Sequence, residues 1–121
     1  MLLAEDEPIT QDVSCYLLED VSFVVDLAED GLQALALARA NTYALILMDM
    51  QMPVLNGVGA TQAIRKDSLN KTTPILAMTA NAFDEDRQVC LDAGMNDHIS
   101  KPVDPQKLYE TLLEWLEKRG G

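Results

Sequence analysis

Cysteine is nearly absent from this 121-residue chain. Cys15 and Cys90 stand alone, without CxxC spacing or histidine ligands nearby. That excludes a disulfide scaffold and a Cys/His metal site, and both residues read as small apolar side chains of a reduced protein. No apolar run approaches the roughly 18 residues of a membrane span. The amino terminus also lacks the basic-then-apolar layout of a signal peptide, so the expectation is a cytoplasmic chain without membrane contact of its own. Basic residues are scarce too: nine against twenty acidic ones give a net charge of −11. That balance opposes direct contact with a nucleic-acid backbone. Repeats, low-complexity tracts and linkers are missing, so residues 1–121 read as one domain, and 48% hydrophobic composition suffices for its core.

What is present is an alternation of periodicities. Short apolar runs at "LLA" (2–4), "FVVDLA" (23–28), "YALILM" (43–48) and "PILAM" (74–78), with a weaker "DHIS" (97–100), read as five strands. Between them lie helical segments. Pro8 suits a first turn, and Ile9, Val13, Tyr16 and Leu17 follow at helical spacing as an apolar face. Asp30 can cap a helix running to about Ala40; another follows Gly57 to about Asp67; Gly94 stops a fourth. Asp104-Pro105 opens the last, whose stripe is Leu108, Leu112, Trp115 and Leu116. Strands apolar almost throughout, separated by helices, imply an α/β fold with a parallel sheet covered on both faces.

Ligands of such sheets sit beyond the carboxyl ends of the strands. There the first strand offers Glu5, Asp6 and Glu7, the third Asp49, the fourth Thr79, and the fifth, after Ser100, Lys101. Singly, each has an ordinary explanation as a turn, cap or solvated residue. Together they place carboxylates, a hydroxyl and an ammonium along one sheet edge. Clustered carboxylates repel one another unless a cation compensates. An oxygen-rich set suits Mg²⁺, which bridges readily to phosphate, and a lysine with a hydroxyl suits phosphoryl oxygens. Asp49, ending the central strand, is the best-placed carboxylate nucleophile for an aspartyl phosphate.

The acidic pair Glu5-Asp6, "LMDMQMPVLNG" around Asp49, "AMTANA" at 77–82 and "SKP" at 100–102 resemble the receiver domains of two-component response regulators over essentially the whole chain. Thr79 and Lys101 follow Asp49 by thirty and fifty-two residues, which fits that family. The resemblance implies a flavodoxin-like three-layer fold with five βα units and strand order 2-1-3-4-5. It implies that Asp49 accepts a phosphoryl group from phosphohistidine on a histidine kinase or histidine-phosphotransfer protein. Mg²⁺, with Mn²⁺ as an alternative, would be held by Asp6, Asp49 and the backbone carbonyl of Gln51, and by Glu5 through water. Thr79 and Lys101 would contact the phosphoryl oxygens, and Lys101-Pro102 would be a cis peptide. Thr79 and the residue at position 98 would act as switches, changing the partners of the surface formed by the fourth helix, fifth strand and fifth helix, which could also carry a homodimer. Catalysis is limited to the domain's own phosphorylation and slow dephosphorylation, the second with Gln51 and Asn81 flanking the water's route.

Three departures qualify the match. Glu5 stands where stand-alone regulators have aspartate, whereas Glu-Asp and "TANA" resemble receivers fused to hybrid sensor kinases. His98 occupies a position usually Tyr or Phe, so the side chain that would turn inward in the switch is here an imidazole. Met1 lies inside or just before the first strand, which implies a segment upstream. Rival readings fail on particular residues. A haloacid-dehalogenase-like phosphatase wants a second aspartate where Gln51 stands, and a flavin carrier wants a hydroxyl-rich phosphate loop where "AEDEPIT" is acidic. A pseudo-receiver lacks part of the acidic, Thr and Lys set, and a histidine-phosphotransfer protein would carry its histidine on a helical bundle.

Overall fold

A computed structural model describes residues 1–50, 52, 54–79, 84–100 and 103–120, with only the backbone of 84–87 and 118–120. Strands and helices alternate: β1 (Leu2–Ala4), α1 (Pro8–Asp20), β2 (Asp26–Ala28), α2 (Gly31–Ala40), β3 (Ile46–Asp49), α3 (Gly57–Lys66), β4 (Ile75–Thr79), α4 (Asp84–Ala93), β5 (Asp97–Ser100) and α5 (Pro105–Gly120). The five strands form one sheet in the order β2-β1-β3-β4-β5, every neighbouring pair parallel. This is the expected 2-1-3-4-5 arrangement.

The near-continuous apolar strands follow from burial on both faces. Leu2, Ala4, Ile46, Met48, Ile75 and Ala77 point to one side, where α2 and α3 cover them with Ala34, Leu35, Ala38, Ala60 and Ile64. Leu3, Leu45, Leu47, Leu76 and Met78 point to the other, against Leu17 and Leu18 of α1 and Leu108 and Leu112 of α5. Trp115 and Leu116 pack on the same cluster, as the α5 stripe predicts. Helix ends follow their capping chemistry. The Asp30 carboxylate accepts from Gln33 N, and Gly94, at φ +108°, ends α4 in the left-handed region that favours glycine. Both cysteines are free, Cys90 buried and Cys15 half-buried.

Three expectations need correction. The face of α1 that meets the sheet is Ser14, Leu17 and Leu18, whereas Ile9 and Tyr16 are 73% and 72% exposed and Val13 is also exposed. The second strand is Asp26–Ala28 rather than 23–28: pairing starts where Asp26 N donates to Met1 O, and Phe23 instead donates back to Leu18 O. The third starts at Ile46, not Tyr43. Tyr43 is buried, but its N–H bonds the Asn70 side chain and its hydroxyl bonds Asp26, so it lies outside the ladder. Burial, together with the hydrogen bond to and charge of the Asp26 carboxylate, raises the phenol pKa. On α4, Cys90 is buried and Val89 exposed.

Candidate functional site

In a sheet ordered 2-1-3-4-5 the chain reverses its direction of winding between β1 and β3, and the two diverging connections open a crevice at their carboxyl ends. β1 and β3 are in register with Ala4 beside Met48. Glu5, one residue on, therefore comes level with Asp49 at the mouth of that crevice. Glu5 is fixed by its backbone, since its N–H continues the ladder to Ala28 O at 3.0 Å. Its carbonyl accepts from the Gln11 side chain and its Oε2 accepts from Asp6 N at 3.1 Å.

Ligand oxygens of Glu5, Asp6 and Asp49 lie within 4.8 Å of one another. Glu5 and Asp49 are buried, Asp6 is exposed. Two buried carboxylates and a third at the rim repel one another in a low dielectric, so the arrangement is favourable only with positive charge among them. An all-oxygen donor set with one side open to solvent fits a hard divalent ion that keeps several waters, as Mg²⁺ does. Glu7, the third acidic residue of the run, serves another purpose. Its carboxylate caps α1, accepting from Ile9 N at 3.1 Å, Thr10 N at 2.6 Å and Thr10 Oγ1 at 2.8 Å.

Thr79 ends β4 on the same edge, one residue beyond Met78, the partner of Asp49 in the ladder, and is 8% exposed. Ser100, the last residue of β5, pairs with Thr79. Lys101 itself, the Lys101-Pro102 peptide, Gln51 and Asn81 lie outside the described residues. His98 sits in β5 away from the acidic cluster. Its ring lines a small pocket with Cys90, Leu91, Asn96 and Asp97, and its Nδ1 is 3.6 Å from Asp97 Oδ1. The other Asp97 oxygen accepts from Trp115 Nε1 at 3.0 Å, tying β5 to α5.

Sequence reasoning missed two supports. Arg65, half-buried on α3, donates through Nε to Gly94 O at 2.9 Å, through Nη1 to Thr73 O at 2.6 Å and to Asn70 and Lys71 O at 3.1 and 3.2 Å, and through Nη2 to Asn96 Oδ1 at 2.7 Å. Burial lowers its pKa. A lone arginine in a helix pattern gives no signal of this. Asn70, fully buried, joins Tyr43 N, Ala38 O, Asn41 O and Thr73 Oγ1. Its only sequence sign is an amide in a polar turn.

Comparison with known proteins gives one answer. Residues 1–113 match the response regulator receiver domain family. The receiver domain of the Pseudomonas aeruginosa PAO1 sensor histidine kinase PA1611, crystallised with magnesium coordinated in its active-site cleft, superposes with a TM-score of 0.89 at 42% identity, covering 96% of this chain and 95% of that one. The receiver domain of Saccharomyces cerevisiae Ssk1, crystallised with the histidine phosphotransfer protein Ypd1, gives a TM-score of 0.86 at 31% identity, over 94% and 86% of the two chains. Hybrid signal transduction histidine kinase I of Dictyostelium discoideum is 39% identical over 119 residues, 93% of this chain and 7% of that protein. The chain thus spans only 7% and 6% of the length of the two Dictyostelium hybrid kinases it matches, and it belongs to the response regulator receiver domains of two-component and phosphorelay systems.

Proposed function

We propose that Asp49 is the phosphoacceptor of this receiver, taking its phosphoryl group from a phosphohistidine on a histidine kinase or histidine-phosphotransfer protein. The observation that carries the reading is the convergence of Glu5, Asp6 and Asp49 at the crevice between β1 and β3. Asp6 and Asp49, with the Gln51 carbonyl, would hold Mg²⁺, and Glu5 would act on it through water. When bound, Mg²⁺ offsets the carboxylate charge and that of the incoming phosphoryl group.

Asp49 stands at a strand end that fixes its approach. One of its carboxylate oxygens forms a bond to phosphorus while the P–N bond breaks and the imidazole leaves, so positioning supplies most of the catalysis. The Thr79 hydroxyl, on the neighbouring strand, would donate to a phosphoryl oxygen, and Lys101 would bring positive charge. Release is the attack of water on the acyl phosphate, which regenerates the carboxylate and liberates phosphate.

The donor's docking surface is the outer face of α1. Ile9, Val13 and Tyr16 are exposed along a helix that begins three residues after Glu5, so an apolar stripe leads away from the acceptor crevice. Apolar side chains exposed in a row mark a protein contact. The output surface is α4-β5-α5, where Val89 and Leu91 are exposed and Leu91 lines the His98 pocket. A second copy of the chain is one partner for it. Thr79 and His98 would carry the phosphorylation signal to that face.

The test is transfer from a phosphorylated histidine-phosphotransfer protein set beside labelling by acetyl phosphate. Ile9→Ser with Tyr16→Ser should slow transfer from the protein donor about tenfold or more and leave acetyl phosphate labelling unchanged. Equal rates from the protein donor in parent and variant would remove the α1 assignment, and absence of any base-labile phosphate in the parent would remove the acceptor role.

A further inference from the structure

Three glycines, Gly31, Gly57 and Gly59, make close approaches around the acceptor strand end and Leu55. A Cβ on Gly57 would stand 2.2 Å from Asp49 O, so the start of α3 backs directly onto the acceptor's own peptide. Gly57 N donates to Met50 O at 3.2 Å, closing the loop on the residue next to Asp49, and Met50 N donates to Met78 O at 3.1 Å. Across the crevice, a Cβ on Gly31, the first residue of α2, would lie 2.0 Å from Leu55 O and 2.7 Å from its carbonyl carbon. On Gly59 it would meet only the movable end of the Leu55 side chain, at 2.7 Å from Cδ1.

Held between these contacts, Val54 has φ +69°. For a β-branched residue the left-handed region is a true outlier, and such a conformation persists only where its surroundings over-determine it. Val54 is 75% exposed, so its own side chain does not hold it there. Its neighbour Leu55 is the residue whose carbonyl lies against Gly31.

We propose that Gly31, on a helix that contributes no ligand or acceptor, is a positioning residue for the chemistry at Asp49: by letting the backbone of α2 touch Leu55 O, it sets where Leu55 and the start of α3 lie and hence, through Gly57, the geometry of the peptide after Asp49. This rests on the phosphoacceptor reading above. A methyl group at position 31 cannot be absorbed by a side-chain rotation, because the atom in its way is a backbone carbonyl. The loop must move outward by an ångström or more, and the Gly57-to-Met50 hydrogen bond passes that displacement to the acceptor. A displacement of about 1 Å can cost about a hundredfold in rate when geometry carries the catalysis.

The experiment compares the parent with Gly31→Ala, Leu55→Ala and the pair Gly31→Ala/Val54→Gly. Mg²⁺ affinity is read by calorimetry with MgCl₂, and acetyl phosphate labelling is read per folded molecule. Alanine is a better helix former than glycine, so α2 itself is not weakened. Gly31→Ala should lower Mg²⁺ affinity and labelling rate at least tenfold. Adding Val54→Gly, which frees the loop to relax around the methyl, should recover threefold or more. Leu55→Ala adds no bulk and carries the test if Gly31→Ala does not fold; loosening the seat should weaken Mg²⁺ binding severalfold. Lower stability with parental Mg²⁺ affinity and labelling in the folded variants would make the contact merely structural and overturn the inference. A parent that gains no phosphoryl group would overturn the phosphoacceptor reading and this inference with it, whereas a labelled parent with unaffected variants overturns this inference alone.

Discussion

Replacing Arg65 by alanine should destabilise this domain more than most surface changes, although Arg65 lies outside the site. Its guanidinium reaches the end of α4 at Gly94 O, three carbonyls of the α3–β4 loop, and the Asn96 amide oxygen, which also accepts from Ile75 N at 2.9 Å. No carboxylate is among these partners. Hydrogen bonds from charged donors contribute about 1.5–3 kcal/mol each, but burial of the cation opposes them, as its lowered pKa records. The net loss on truncation should therefore be about 3 kcal/mol rather than the gross total, including the carbonyls left without their donor. For a chain of this size that is a fall in Tm of about 10 °C. Arg65→Lys keeps the charge but not the planar fork, so it should recover less than half. Urea unfolding followed by the fluorescence of Trp115, the sole tryptophan, measures both. A loss under about 1 kcal/mol for Arg65→Ala, or a lysine variant as stable as the parent, would refute the reasoning.

Glu7→Ala should cost about 1 kcal/mol in the same assay through the lost α1 cap and leave Mg²⁺ affinity within twofold. Glu5→Gln should weaken Mg²⁺ binding in a calorimetric titration, with α1 intact by circular dichroism. Leu47→Ala, at a site 1% exposed, should cost about 3 kcal/mol in urea unfolding. Burial, aided by Glu19 and Asp12, raises the Cys15 thiol pKa, so the thiolate fraction at pH 8 falls below that of a free cysteine; a thiol reagent should react slowly there, with a rate still climbing above pH 9.

The order of βα units was legible because a parallel sheet buried on both faces leaves unbroken apolar runs, and because Asp30, Gly94 and Asp104-Pro105 mark helix ends by local chemistry. Strand limits were less so: the run 43–48 reports burial, and Tyr43 is buried on side-chain hydrogen bonds instead of ladder bonds. The stripe Ile9, Val13 and Tyr16 shows a deeper limit. Helical period tells which residues share a face but not whether that face meets the sheet or a partner, and here the sheet takes Ser14, Leu17 and Leu18. At the site, strand-end position identified Glu5, Asp6, Asp49 and Thr79, since each lies where an apolar run stops. The division of labour within "EDE" was not readable, because it depends on Glu7 turning into its own helix. The seat of Leu55 on Gly31 was invisible for a different reason: it joins residues far apart in sequence and involves a carbonyl that carries no residue signature.

The most direct test of the account is the intact mass of the domain after incubation with acetyl phosphate, for the parent and Asp49→Asn, each with MgCl₂ and with excess chelator. The account predicts one added phosphoryl group in the parent with MgCl₂ and none in the other three samples. A phosphorylated Asp49→Asn variant, or labelling of the parent in chelator, would contradict it.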